Sequence, residues 1–138
     1  MPETSPGPTK PAKHRHLLWL SVGAGLLLAF IGIRFLIVPR SAANTFGLAR
    51  EIAGYELHHI VGLRDMWLGL LAVALAATRE WRALALWFGL GALVCFADAS
   101  IAAGSSGKVR AIVFHTGAGI VCAWMAIAIW RRFGRPHP

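Results

Sequence analysis

The chain has 138 residues, of which 57% are hydrophobic and only 14% charged, against roughly a quarter charged in an ordinary soluble domain. Its mean hydropathy is +0.59, which excludes a soluble globular protein and points to a lipid bilayer. The net charge of +8 would suit nucleic acid in a soluble protein, but no basic face with interleaved stacking aromatics is present, so nucleic-acid binding is set aside.

The opening stretch, "MPETSPGPTKPAKHRH", is rich in Pro, Ser, Thr and Lys and reads as a disordered tail over residues 1–16. Four apolar runs follow, at residues 17–38, 57–77, 84–103 and 109–130, each near the roughly 20 residues that a 30 Å hydrocarbon core requires. Without the alternating ten-residue pattern of barrel strands, the expected fold is all-α, a four-helix transmembrane bundle forming one domain over residues 17–133, with a short tail at 134–138. A signal-peptide reading of the first run, with "SAAN" at 41–44 as a cleavage site, is disfavoured because the run exceeds the roughly 7–15 residues of a signal core.

The first connection, "PRSAANTFGLAREIAGYE", is long for a compact domain. Pro39 ends the first helix, and Phe46, Leu48, Ile52 and Tyr55 offer an apolar side at helical spacing while Arg50 and Glu51 face water, which predicts a short interfacial helix. The second and third connections, "REWR" and "GSSGK", are short and make consecutive helices antiparallel neighbours. Glycines recur in every span and predict close helix packing. Most Trp residues read as interfacial anchors; Trp67 lies three residues beyond Arg64 and is expected to stack on its guanidinium.

Basic residues set the orientation. Lys10, Lys13, Arg15, Arg79, Arg82, Arg131, Arg132 and Arg135 fall on one side of a four-pass chain, against Arg40, Arg50, Lys108 and Arg110 on the other. The positive-inside bias predicts a multi-pass protein of the cell inner membrane with both termini cytoplasmic.

Ionisable residues interrupt the oily runs at nearly one depth. At 1.5 Å per residue from the outer helix ends, Arg34 lies about 6 Å deep, Arg64 and Asp65 about 10–12 Å, Asp98 about 8 Å and His115 about 9 Å. His58 and His59 stand at the mouth of the second span beside Tyr55. His58, Gly62, Asp65 and Gly69 share one helical face, whereas Arg64 points roughly 100° away, so Arg64 and Asp65 are expected to reach different neighbours. A charge at this depth is paired or faces a wet cavity. One expectation is an ion-pair lattice such as Arg34–Asp65 and Arg64–Asp98; the other is a polar pocket in the outer half of the bundle, lined by Arg34, Tyr55, His58, His59, Arg64, Asp65, Trp67, Asp98 and His115.

Within such a pocket Asp65, Asp98 and His115 are candidates for acid–base catalysis. No HExxH or comparable spacing supports a metal site, and no GxSxG, P-loop or dinucleotide fingerprint points to a cofactor. Cys95 and Cys122 lack CxxC spacing and read as small packing residues, which disfavours a quinone-linked thiol-oxidising enzyme.

The stretches "RFLIVPRSAANTFGL", "GLRDMWLGLLA" and "CFADA" together resemble small four-pass membrane proteins grouped as domain of unknown function 4267, similar in architecture to DoxX-like proteins, over about residues 32–115. The resemblance implies a four-helix membrane fold in which Arg64, Asp65 and Asp98 recur. The leading functional expectation is binding of a lipid-like or amphipathic small molecule, as an accessory subunit beside a membrane partner enzyme or as a homo-oligomer. The alternative is a membrane-embedded isomerase, cyclase or hydrolase. A small transporter is less favoured, because the first helix carries Arg34 and no carboxylate.

Overall fold

The structure is a computed structural model that describes residues 15–48 and 55–133. Five helices follow in order: α1 (Arg15–Ile37), α2 (Pro39–Phe46), α3 (Glu56–Ala77), α4 (Trp81–Ser105) and α5 (Val109–Phe133). The four longer ones are each long and apolar enough to cross a membrane, and no strand occurs among the described residues. The all-α expectation therefore holds. The tails expected at 1–16 and 134–138 lie outside the described residues except for Arg15 and His16, which belong to α1.

Side chains are sorted by size. The buried set is dominated by Ala and Gly, whereas Leu26, Phe30, Leu90, Leu93, Val113 and Ile120 are all more than half exposed. That ordering suits lipid, where helices gain nothing by hiding large apolar groups and instead associate by close contact of small ones.

The close contacts organise the bundle into two antiparallel pairs. In α1 and α3, Gly25 opposes Gly69 and Gly32 opposes Gly62; a Cβ on Gly32 would stand 2.5 Å from the Gly62 carbonyl oxygen and the Met66 amide nitrogen. Backbone thus touches backbone. In α4 and α5 the approach is looser: a Cβ on Gly119 would meet the Phe96 ring at 2.9 Å, while one on Gly89 would lie 3.9 Å from Ala126 and one on Gly91 4.0 Å from the Cys122 sulfur. Gly23 and Gly117, expected to pack in the same way, meet nothing within 4 Å.

The pairs join through an apolar core of Leu17, Ala72, Ala76, Leu84, Ala85, Phe88, Met125 and Ile129, drawn from all four long helices. It lies at the end where α3 turns into α4, and Trp81 stacks there on Phe133 with ring centroids 4.7 Å apart. At the opposite end Phe35, Ala42 and Ala43 form a smaller cluster with Ile31, Phe46, Leu48 and Val61.

The short helix expected in the first connection is present as α2 in its first half, Pro39–Phe46. Pro39 does more than end α1, because a proline at the first helical position lacks only an amide that would have no intrahelical partner anyway, and its fixed φ begins α2. Gly47, at φ 105°, closes α2, and the amides of Gly47 and Leu48 both reach the Ala43 carbonyl at 3.2 and 3.1 Å. This is the left-handed stop that glycine permits. Arg50, Glu51 and Ile52 lie outside the described residues.

Candidate functional site

The buried stripe of α3 runs His58, Gly62, Asp65, Gly69, Ala72 and Ala76, so the face read from spacing is the face that packs. Asp65 is 6% exposed between the two glycine contacts. Arg64 does not leave it for another helix: its Nε donates to Asp65 Oδ1 at 3.0 Å, with the Arg64 side chain 48% exposed. The expectation of separate partners is overturned. Although the two Cβ atoms diverge around the helix, the Arg64 side chain is long enough to fold back, leaving its outer part in the open while neutralising the buried carboxylate.

Neither Arg34–Asp65 nor Arg64–Asp98 is an ion pair; among the described residues Arg64–Asp65 stands alone. Arg34 is half-buried in the last turn of α1, where a cation suits the negative end of the helix dipole. Asp98, half-buried on α4, lies within the electrostatic reach of His115, Arg64 and Asp65. Three helices therefore contribute to one polar layer.

His115 is 6% exposed on α5. Its Nε2 stands 3.2 Å from the Phe46 carbonyl oxygen; that oxygen can only accept, which places the ring proton on Nε2. The Phe46 ring covers the imidazole at 4.3 Å between centroids. Nearby, Lys108 Nζ donates to the Asn44 backbone and side-chain oxygens, and a Cβ on Gly47 would strike those of Ala102 and Ala111 at 2.9 Å. α2 is thus fastened across the ends of α4 and α5 that meet at residues 106–108.

A second group lies where α1, α2 and α3 meet. His58 is 7% exposed, its ring 6.3 Å from Phe35 and 6.4 Å from Tyr55, and its buried Nδ1 has no hydrogen-bond partner. Tyr55 and His59 are exposed, and the Arg40 guanidinium lies 5.6 Å over the Tyr55 ring. Arg40, Tyr55 and His59 border a groove of about 520 Å³ whose other walls are Leu36, Ile37, Val38, Pro39 and Ser41.

The candidate residues therefore divide into an inner layer (Arg64, Asp65, Asp98, His115) and an outer groove (Tyr55, His59, with His58 beside it). Trp67 joins neither: it is 53% exposed on the lipid-facing side, and no cation–ring contact ties it to Arg64 among the described residues, because Arg64 Nε is turned to Asp65. Arg40 and Ser41 were not among the expected site residues; the sequence signal was their position in the first turn after Pro39. Among the described residues no three His, Cys, Asp or Glu side chains converge as a metal site.

No curated protein and no solved structure matches the chain. A family model matches residues 25–131, a span that holds the opposed glycines, α2, the Arg64–Asp65 pair, Asp98 and His115, and by this match the chain belongs to the family described as Domain of unknown function (DUF4267).

Proposed function

We propose that this membrane protein holds an amphipathic, lipid-like small molecule at the outer end of its bundle, with the apolar part along Leu36, Ile37 and Val38 and the polar head toward Arg40, Ser41, Tyr55 and His59. The observation that carries the reading is the groove itself, whose apolar wall of Leu36, Ile37 and Val38 ends at the polar side chains of Arg40, Ser41, Tyr55 and His59. Behind Tyr55, His58 Nδ1 is buried and unpaired, a cost of about 1–3 kcal/mol that a shift of the ring toward a bound head group would remove. Arg40 adds a cation at the groove rim, so an anionic or hydroxylated head fits best.

In this reading Arg64, Asp65, Asp98 and His115 position α2 and α3 behind the groove. Binding without chemistry suits an accessory subunit that presents its ligand to a partner enzyme in the same membrane. The basic residues at Arg15, Arg79, Arg82, Arg131 and Arg132 support an inner-membrane placement with cytoplasmic termini, which puts the groove at the outer leaflet. A second reading, an isomerase, cyclase or hydrolase using Asp65, Asp98 and His115, is favoured by the placement of Asp98 within electrostatic reach of His115.

Native mass spectrometry of full-length protein taken from its host membrane tests both. Wild type should retain an added mass that Arg40→Ala and His58→Leu release while helix content and thermal midpoint stay near wild type. Retention equal in wild type and both variants, or no retained mass at all, refutes the groove. Conversion of the retained molecule on incubation, abolished by Asp98→Asn, moves the enzyme reading ahead.

A further inference from the structure

Cys95 and Cys122 are the two cysteines of the chain, both free and half-buried. They are far apart in sequence yet lie on facing sides of the α4–α5 pair: Gly91, one turn before Cys95 on the same face, has its open side 4.0 Å from the Cys122 sulfur, and the two thiols lie within each other's electrostatic reach. Counting from Ser105 and Val109, they lie about 15 and 20 Å from the outer helix ends, in the middle of the hydrocarbon.

We propose that Cys95 and Cys122 form a redox-active dithiol inside the membrane, closed to a disulfide by a lipid-soluble quinone. Gly91 and Gly119 present no side chain to hold α4 and α5 apart, which favours the approach to about 4.4–6.8 Å between Cα atoms that a disulfide demands. Water-soluble oxidants do not reach this depth, whereas a quinone ring dissolves there, and neither cysteine is sealed inside the bundle. In the reaction two S–H bonds break and one S–S bond forms; the two electrons and two protons pass to the quinone carbonyl oxygens, giving one hydroquinone. Asp98 stands one turn from Cys95 toward the outer end and acts on it electrostatically, so it is placed to take the first thiol proton and return it to the reduced quinone. This site is separate from the outer groove and does not depend on its occupant.

The test uses full-length protein, reduced and reconstituted in phosphatidylcholine vesicles, exposed to a short-chain ubiquinone analogue, then denatured in acid and alkylated with a polymer-tagged maleimide. Wild type should lose both thiols together, yield one hydroquinone per chain and fall in intact mass by two hydrogens, while Cys95→Ser and Cys122→Ser each keep their remaining thiol. Asp98→Asn should slow closure by roughly 10²-fold, the scale of a positioned general base. Thiols that stay alkylatable in wild type overturn the proposal, as does loss of the lone thiol in either single variant at the wild-type rate. A gain in mass from quinone addition, or closure by a lipid hydroperoxide but not by quinone, overturns the quinone as oxidant; an unchanged rate in Asp98→Asn removes Asp98 from the path.

Discussion

His115 on α5 donates from Nε2 to the Phe46 carbonyl oxygen at 3.2 Å, and Phe46 is the last residue of α2. The last carbonyls of a helix have no acceptor role within it, so a histidine from another helix supplies the missing partner. With the Lys108–Asn44 hydrogen bonds, this buried ring holds the short helix onto the bundle.

His115→Ala should therefore loosen α2 before it disturbs the long helices. The change leaves a buried carbonyl unpaired, worth about 1–3 kcal/mol, and removes the ring that Phe46 covers at 4.3 Å. Hydrogen exchange measured by mass spectrometry should accelerate over residues 42–47 while α1 and α3 keep their protection; uniform acceleration across the chain would count against a local clamp.

Gly47→Ala attacks the same helix from its end. Gly47 has φ 105°, a conformation that costs a residue with a Cβ about 1–2 kcal/mol, and the new methyl would meet Ala102 and Ala111 at 2.9 Å. The thermal midpoint in detergent should fall further than for Gly107→Ala, which shares a positive φ but meets nothing within 4 Å. Equal shifts would show that conformation alone, and not the wedge between α4 and α5, sets the cost.

Much of this architecture is legible in hydropathy, because apolar runs of bilayer length leave the backbone little choice but helix. The stripe His58, Gly62, Asp65, Gly69 follows from helical period alone. What pattern reading misses is how a flexible side chain spends its reach: Arg64 returns to Asp65 although their Cβ directions diverge, and Trp67 is left to lipid. Pro39 carries two meanings, stop for α1 and start for α2, and a reading that takes only the first does not say where in the connection the short helix begins. Cys95 and Cys122 hide for another reason, since motif searches look along the chain, whereas a helical hairpin brings together residues at similar distances from its turn at 106–108.

The Arg64–Asp65 pair makes a quantitative prediction. A double-mutant cycle with Arg64→Met and Asp65→Asn should give a coupling of about 0.5–1 kcal/mol, held to the low end by the 48% exposure of the Arg64 side chain. The cycle pairing Arg34→Met with Asp65→Asn should be additive, because Arg34 forms no ion pair with Asp65. Coupling in the second cycle and not in the first would restore the interhelical lattice.

The opposed glycines predict where the bundle tolerates volume. Gly32→Ala and Gly62→Ala each drive a methyl into backbone atoms of the facing helix, and backbone cannot swing aside as a side-chain tip can. Overpacking of this kind costs about 1–3 kcal/mol. Gly23→Ala, with open space around it, should stay within about 0.5 kcal/mol of wild type. Unfolding in a graded denaturing detergent series ranks the three; a Gly23 variant as damaged as the Gly32 variant would mean that loss of glycine itself, not helix separation, is at fault.

Orientation decides which leaflet the groove serves. α3 and α4 are joined at residues 78–80 beside Arg79 and Arg82, and α4 and α5 at residues 106–108 beside Lys108 and Arg110. The two turns are close to balanced in charge, but Lys108 is engaged with Asn44 of α2, and Arg15, Arg131 and Arg132 reinforce the first side. A phosphatase reporter inserted at 106–108, active only outside the cytoplasm, should therefore be active, and one fused after the last residue should be silent; a fluorescent-protein reporter should give the complementary pattern. Replacing Arg79 and Arg82 by Gln should produce a mixed population, since short-loop cations close to span ends set the bias. The inverse pattern in the wild type would turn Arg40, Tyr55 and His59 toward the cytoplasm and move the proposed ligand to the inner leaflet.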